Sequence, residues 1–193
     1  MRGRIVVGQS VPAALAACEV ITATGTRALG TSWAERDCVL VCIRHFACIG
    51  CAEQVTALRP RLHELERLRV AVVICGSGSA DQLAGFVERE QLARTDVECV
   101  TDPTLGVYLT LGFQRSFWGT YGPIALGQAS RAWLNGHSNG AAEGDLYQQG
   151  GVLYVRRGGE VAFYYRAKRL GDHARLVDVV DIALAARALE AST

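Results

Sequence analysis

The chain has 193 residues, half of them apolar, with 20 basic against 19 acidic side chains and a net charge of +1. This is enough apolar material for the core of one domain, and it leaves no electrostatic argument for nucleic acid or an anionic membrane as a partner. Seven cysteines, an odd number with several inside apolar runs, speak against a secreted disulfide scaffold.

The N-terminus lacks a leader-type apolar stretch with a cleavage site, and no run approaches the roughly 18 apolar residues of a membrane span. The expectation is a cytoplasmic protein with reduced thiols. Glu19–Ala23 and Ala28–Leu29 read as short strands about a Thr-Gly-Thr turn. Cys38–Arg44 is an apolar run of the kind buried on both faces of a sheet. From Ala52 to Arg67, Val55, Leu58, Leu62 and Leu65, continued by Leu68, repeat at the three/four spacing of one helix face, and Pro60 is expected to kink that helix. Val70–Cys75 predicts a second buried strand. Gly76-Ser-Gly-Ser then reads as a plain strand-to-helix turn, since it lacks the third glycine and the Lys-Ser/Thr ending of a phosphate loop.

Ser79 or Asp81 is placed to cap a helix to about Glu90. A third strand, Val97–Thr101, stops at Asp102-Pro103 and leads to a short helix through Leu111. Phe113–Gly151 is an irregular, glycine-rich insertion with one predicted helix over Ile124–Leu134. Val152–Val155 and Glu160–Tyr165 form a predicted hairpin across Arg156-Arg-Gly-Gly. Asp172 is expected to cap a last helix to about Glu190 that buries Leu176, Val179, Val180, Ile182 and Leu184. This order predicts a single α/β domain over residues 1–193, a mixed central sheet flanked by helices.

Cys48-Ile-Gly-Cys51 carries the chemistry. It falls where the first long strand hands over to a helix, whose N-terminus brings unpaired N–H groups and partial positive charge. Those features lower a thiol's pKa, and Cys-x-x-Cys at such a junction is the sequence form of a redox pair. Cys48 is expected at the N-cap, exposed, with Cys51 one turn in and within disulfide reach. Arg44 and His45 are expected to add positive charge beside the thiols. Cys42, His45, Cys48 and Cys51 also give four zinc ligands on paper, but Cys42 lies in a strand between apolar neighbours and fits the core better. Cys38, Cys75 and Cys99 read as core cysteines too. His63 reads as solvated, His137 as a loop residue and His173 as part of a helix start.

Four stretches together resemble the AhpC/TSA-type peroxiredoxin-like proteins of the thioredoxin superfamily, in particular the branch with Cys-x-x-Cys: Leu40-Val-Cys-Ile-Arg-His-Phe-Ala-Cys-Ile-Gly-Cys51-Ala-Glu-Gln, Val100-Thr-Asp-Pro-Thr-Leu-Gly-Val-Tyr108, Gln149-Gly-Gly-Val152 and Asp172-His173. The resemblance implies a thioredoxin-like fold in its peroxiredoxin variant. It implies a thiol peroxidase or thiol-disulfide oxidoreductase, with a peroxide or disulfide as substrate and Cys48 and Cys51 as the reacting pair, assisted by Arg44 or His45. It implies no bound cofactor beyond an external dithiol of the thioredoxin or glutathione type, and it allows a homodimer. The family's Pro-x-x-x-Thr/Ser-x-x-Cys is not reproduced. Counting back from Cys51 places Arg44 and Cys48 at the Pro and Thr positions, and from Cys48 places Val41 and His45 there. Gly150-Gly151 stand where thioredoxins carry a cis-proline. The order in which Cys48 and Cys51 react stays open on the sequence. The alternative is a scaffold turned to non-redox chemistry or binding, with Phe113, Phe117, Trp118, Tyr121 and Trp133 of the insertion as its surface.

Overall fold

Pleating of the apolar runs divides the hydrophobic residues between the two faces of one sheet. The computed structural model describes residues 5–116 and 147–169 without a break, together with 127, 130, 133, 134, 145, 172, 174 and 179–184. A short helix α1 (Ala13–Ala16) precedes the hairpin β1 (Glu19–Thr22) and β2 (Gly25–Ala28). Then come β3 (Cys38–Cys42), α2 (Ile49–Arg67), β4 (Ala71–Gly76), α3 (Ala80–Arg89), β5 (Val97–Thr101), α4 (Gly106–Leu111), β6 (Gly151–Val155) and β7 (Val161–Arg166). The seven strands form one sheet in the order β2-β1-β5-β4-β3-β6-β7. β3, β4 and β5 are parallel to one another, and the remaining pairs are antiparallel. The predicted mixed sheet flanked by helices is therefore the observed architecture.

In β3 and just beyond it, Val39, Val41 and Ile43 face α2 and α3, while Cys38, Leu40 and Cys42 face α1 and α4. Both faces are buried, which is why this run carries no polar alternation. Val55, Leu58 and Leu65 of α2 pack on the first face, each contributing about 1.5–3 kcal/mol of apolar burial. The helix runs on both sides of Pro60. α3 starts at the predicted cap: the Gln82 N–H donates to Ser79 Oγ at 3.3 Å, and the Gln82 side chain accepts from the Ser79 N–H, a reciprocal capping box.

Several boundaries shift. β2 begins at Gly25 rather than Ala28, because the turn is Ala23-Thr24 and Gly25 and Thr26 already pair with Thr22 and Ile21. α2 starts at Ile49, three residues before the apolar periodicity becomes visible. Residues 179–184 are helical as expected, with Val179, Val180 and Ala183 buried, but Leu184 is half exposed and does not belong to the buried side. Asp172 accepts from the Lys168 N–H at 2.7 Å and from the Tyr165 hydroxyl, bonds that tie it to the end of β7. Its expected capping contacts, and His173, lie outside the described residues. So do His137, Phe117, Trp118 and Tyr121. Of the predicted helix over Ile124–Leu134, residues 127, 130, 133 and 134 are helical, and the others are outside as well. Among the described residues no helix is long and apolar enough to cross a membrane.

Candidate active site

β3 ends at Cys42, and Cys48 takes the N-cap of α2 in an extended conformation. The intervening turn is tight. The Cys48 N–H donates to the His45 carbonyl at 3.2 Å, and the Cys51 and Ala52 N–H groups donate to the Cys48 carbonyl at 3.0 and 3.2 Å. The cysteine pair therefore occupies the first turn of a 19-residue helix, at its positive end. Neither sulfur is in a disulfide. Neither lies on the surface, however: Cys48 is 5% exposed and Cys51 2%. The expectation of an exposed first cysteine is overturned, because the loop folds inward and joins both residues to the apolar cluster that includes Phe46, Val55 and Val152.

Arg44 links the two sulfurs. Its backbone N–H donates to Cys51 Sγ at 3.2 Å, and its Nη1 reaches Cys48 Sγ at 4.0 Å. Its Nε donates to the Gln148 carbonyl at 3.0 Å, and its own carbonyl accepts from Ser77 Oγ at 2.7 Å. Arg44 is itself buried, so its charge is weakly screened where it meets the sulfurs.

Burial, followed by the bond its thiol makes with Cys48, pushes the Cys51 thiol well above its ordinary pKa, and the Arg44 charge and N–H only partly oppose this. For Cys51 the expected lowering by the helix end fails, because desolvation is the larger effect. His45 departs from expectation in the same way. Burial first, and the neighbouring Arg44 charge second, lower its pKa to about 4, while Asp145 pulls weakly in the other direction. His45 is a neutral imidazole near pH 7 and adds no positive charge, and among the described residues its buried Nδ1 has no hydrogen-bond partner.

The remaining cysteines stand apart. Cys42 pairs in register with Cys75 of β4, and their thiols hydrogen-bond on the α1/α4 face, opposite the face holding Cys48 and Cys51. The four-ligand zinc set of Cys42, His45, Cys48 and Cys51 therefore does not converge. Among the described residues no other group of three or more His, Cys, Asp or Glu side chains is placed to hold a metal. Cys38, Cys75 and Cys99 are buried as expected, and burial raises Cys38 and Cys99 to about 12. His63 is solvated, on the rim of a cavity of about 360 Å³ lined also by Arg59, Leu62, Glu66 and Asp96, none of which is a residue of the cysteine site.

Two residues at the site, Gln148 and Asp145, and one that braces it, Tyr108, were given no role by the sequence. Tyr108, fully buried, donates its hydroxyl between the Ile43 carbonyl at 2.6 Å and the Cys75 carbonyl at 3.0 Å, bracing β3 against β4 just before the active loop. Gln148 receives Arg44, and Asp145 lies near His45. The Asp-Pro stretch ends on Tyr108 without giving it a role, and the Gln-Gly-Gly landmark begins just after Gln148. Phe113, assigned to a binding surface, is instead buried edge-on to Tyr108 and stacked on Tyr164 with centroids 6.0 Å apart. Trp133 is exposed.

Residues 57–169 match the family model described as AhpC/TSA antioxidant enzyme. The chain belongs to that family. A human protein named peroxiredoxin-like 2C is 28% identical over 191 residues, covering 91% of this chain and 81% of its own. Prostamide/prostaglandin F synthase of Pongo abelii is 32% identical over 151 residues, 75% of this chain and 74% of its own. The chain spans 81% and 74% of these two relatives' lengths and 62% of the length of a thioredoxin-like protein of Arabidopsis thaliana that it also matches, at 27% identity. The crystal structure of peroxidoxin BcpB from Mycobacterium tuberculosis superimposes with a TM-score of 0.65 at 16% identity, covering 93% of this chain and 96% of the other, which establishes a shared peroxiredoxin-type thioredoxin fold. This AhpC/TSA member is thus an enzyme, a thiol-dependent oxidoreductase of the peroxiredoxin-like kind. The family match begins beyond Cys51, so the assignment of the reacting pair rests on the site's own geometry.

Proposed function

We propose that the enzyme reduces a peroxide, or a small disulfide, through Cys48 and Cys51, with Cys48 attacking first. The observation that carries this reading is the double engagement of Arg44, whose guanidinium meets Cys48 while its backbone N–H meets Cys51. A buried cation beside one sulfur favours its thiolate. The neighbouring thiol, kept protonated by burial, is left to react second, as the resolving group.

In the first step the Cys48 thiolate attacks the terminal peroxide oxygen. The O–O bond breaks, Cys48 becomes a sulfenic acid, and the departing alkoxide takes a proton to leave as alcohol or water. Cys51 then attacks the sulfenic sulfur, and its proton leaves with the hydroxyl as water, giving the Cys48–Cys51 disulfide. An external dithiol restores both thiols by exchange and is itself oxidised. Arg44 orients and stabilises the thiolate, and His45 acts as a neutral neighbour. The burial of both sulfurs favours a small peroxide over a protein disulfide as the oxidant.

A reductant of the thioredoxin or glutathione type, the absence of a bound cofactor, a homodimer and a cytoplasmic location complete the proposal. Seven cysteines, none of them in a disulfide, suit a reducing compartment. The scaffold alternative draws no support from the family match, and most of its binding segment lies outside the described residues.

The test is a stoichiometric peroxide pulse followed by alkylation and mass mapping. The protein should lose two hydrogen atoms, located at Cys48 and Cys51. Cys51→Ser should stop at a sulfenic acid on Cys48, and Cys48→Ser should not react. Turnover that survives Cys48→Ser rejects the assignment.

A further inference from the structure

The segment that leads out to the long insertion and back is itself a short ribbon. Arg115 bridges antiparallel to Gln148, the Gln149 N–H donates to the Gln114 carbonyl at 2.9 Å, and the Ser116 N–H donates to the Tyr147 carbonyl at 2.9 Å. Its outer end is clasped by an ion pair of 2.5 Å between Arg115 Nε and Asp145. Asp145 also accepts the Tyr147 N–H at 2.9 Å through its side chain and the Gln148 N–H at 3.2 Å through its carbonyl. The inner end is fixed on both sides. Phe113 is locked between Tyr108 and Tyr164, and Gly150 lies so close to β3 that a Cβ there would fall 2.1 Å from the Cys42 carbonyl oxygen. Between those anchors, the Gln148 carbonyl takes the Arg44 Nε proton at 3.0 Å.

We propose that this ribbon is the positioning element for Arg44: the Asp145 clasp sets the height of Gln148, and the Gln148 carbonyl turns the guanidinium toward Cys48. An Arg side chain has many rotamers, and one fixed acceptor at Nε removes the freedom to rotate Nη1 away from the sulfur. Gln148 is held for that purpose: it is fully buried, its Nε2 donates to the Gln149 carbonyl at 2.9 Å, and its backbone rather than its side chain does the positioning. Gln148 and Asp145 are positioning residues, acting through Arg44. The inference rests on the reading of Arg44 as the cation that serves Cys48.

A double-mutant cycle tests it. The readout is the rate of iodoacetamide modification at Cys48, mapped by peptide mass, in the reduced full-length protein. Asp145→Ala should slow that rate about three- to tenfold, Asp145→Glu should recover most of it, and Asp145→Ala should slow it no further when Arg44→Gln is already present. A drop of the same factor in both backgrounds would show that Asp145 acts by another route, through His45 for example, and would overturn the inference while leaving the role of Arg44 intact. An unchanged rate in Asp145→Ala would overturn it equally. If Arg44→Gln alone left the rate unchanged, the underlying reading of Arg44 would fall, and the positioning role with it. Unchanged thermal melting of Asp145→Ala within a few degrees separates these outcomes from loss of fold.

Discussion

Two thiol pairs lie a few residues apart in this protein, one on each face of the sheet, and they share more than they differ. Cys48 with Cys51, and Cys42 with Cys75, are all buried and none is in a disulfide, and within each pair the thiols hydrogen-bond to one another. Burial drives Cys51 and Cys42 alike well above the ordinary thiol range. What separates them is the neighbour. The first pair meets a guanidinium and a backbone N–H from Arg44. The second meets apolar side chains, and the Asp102 charge opposes ionisation of Cys42. On the proposed reading, what marks the reactive pair is neither the closeness of two thiols nor their depth but a compensating cation.

The sharpest way to break that comparison is to remove one sulfur from each pair and follow peroxide turnover. Cys48→Ser should lower it by roughly a thousandfold or more, the loss expected for a nucleophile. Cys42→Ala should leave it within about twofold. Comparable losses in the two variants would mean that the cation does not decide which pair reacts.

A second prediction concerns the cost of the charged site. His45 sits beside Arg44 and is held neutral, with a pKa of about 4 against an ordinary value of 6.5, by burial and by that charge. The unfolded chain accepts a proton here that the folded state refuses. The associated stability is therefore complete above about pH 6.5 and is lost as the pH falls toward 4. Between pH 7 and pH 5 this group alone should remove about 2 kcal/mol. Urea unfolding of the wild type and of His45→Gln at both pH values measures it: the variant's curve should be flatter by about that amount, and parallel curves would rule the effect out.

Tyr108 touches both regions, and its removal should cost less. In Tyr108→Phe the Ile43 carbonyl loses its hydroxyl partner, whereas the Cys75 carbonyl keeps the Ile43 N–H at 2.8 Å. One buried acceptor left without this bond costs about 1–2 kcal/mol. Chemical denaturation should show that loss, with the reactivity of Cys48 changed by less than about twofold. A large fall in reactivity would instead make Tyr108 part of the site.

How far the sequence could be read follows the same division between local and distant causes. The junction of β3 and α2, Cys48 at the N-cap, the Ser79 cap and the strand Val97–Thr101 were all legible, because hydrophobic period and capping chemistry are local. The exposure assigned to Cys48 and the charge assigned to His45 were wrong for one reason: each depends on what covers the loop. The partners of that loop lie far along the chain, with Gln148 meeting Arg44 across 104 positions. No periodicity reports such a contact. Phe113 was misread on the same ground, since its partners Tyr108 and Tyr164 are brought to it only by the closed sheet.

The smallest predicted effect tests the quiet pair alone. Cys42 and Cys75 pair in register at the C-terminal ends of two parallel strands and fill space beside Leu40, Val73 and Tyr108. Replacing either by alanine removes one buried sulfur and leaves a void too small for water, so each single variant should lose about 1 kcal/mol. Because the two thiols touch, Cys42→Ala with Cys75→Ala should cost less than the sum of the two, the second loss enlarging a void already made. Turnover should be untouched in all three. If the double variant reacted with peroxide more slowly while folding normally, the two faces of the sheet would be coupled through β3, and the contrast between the pairs would become one of degree.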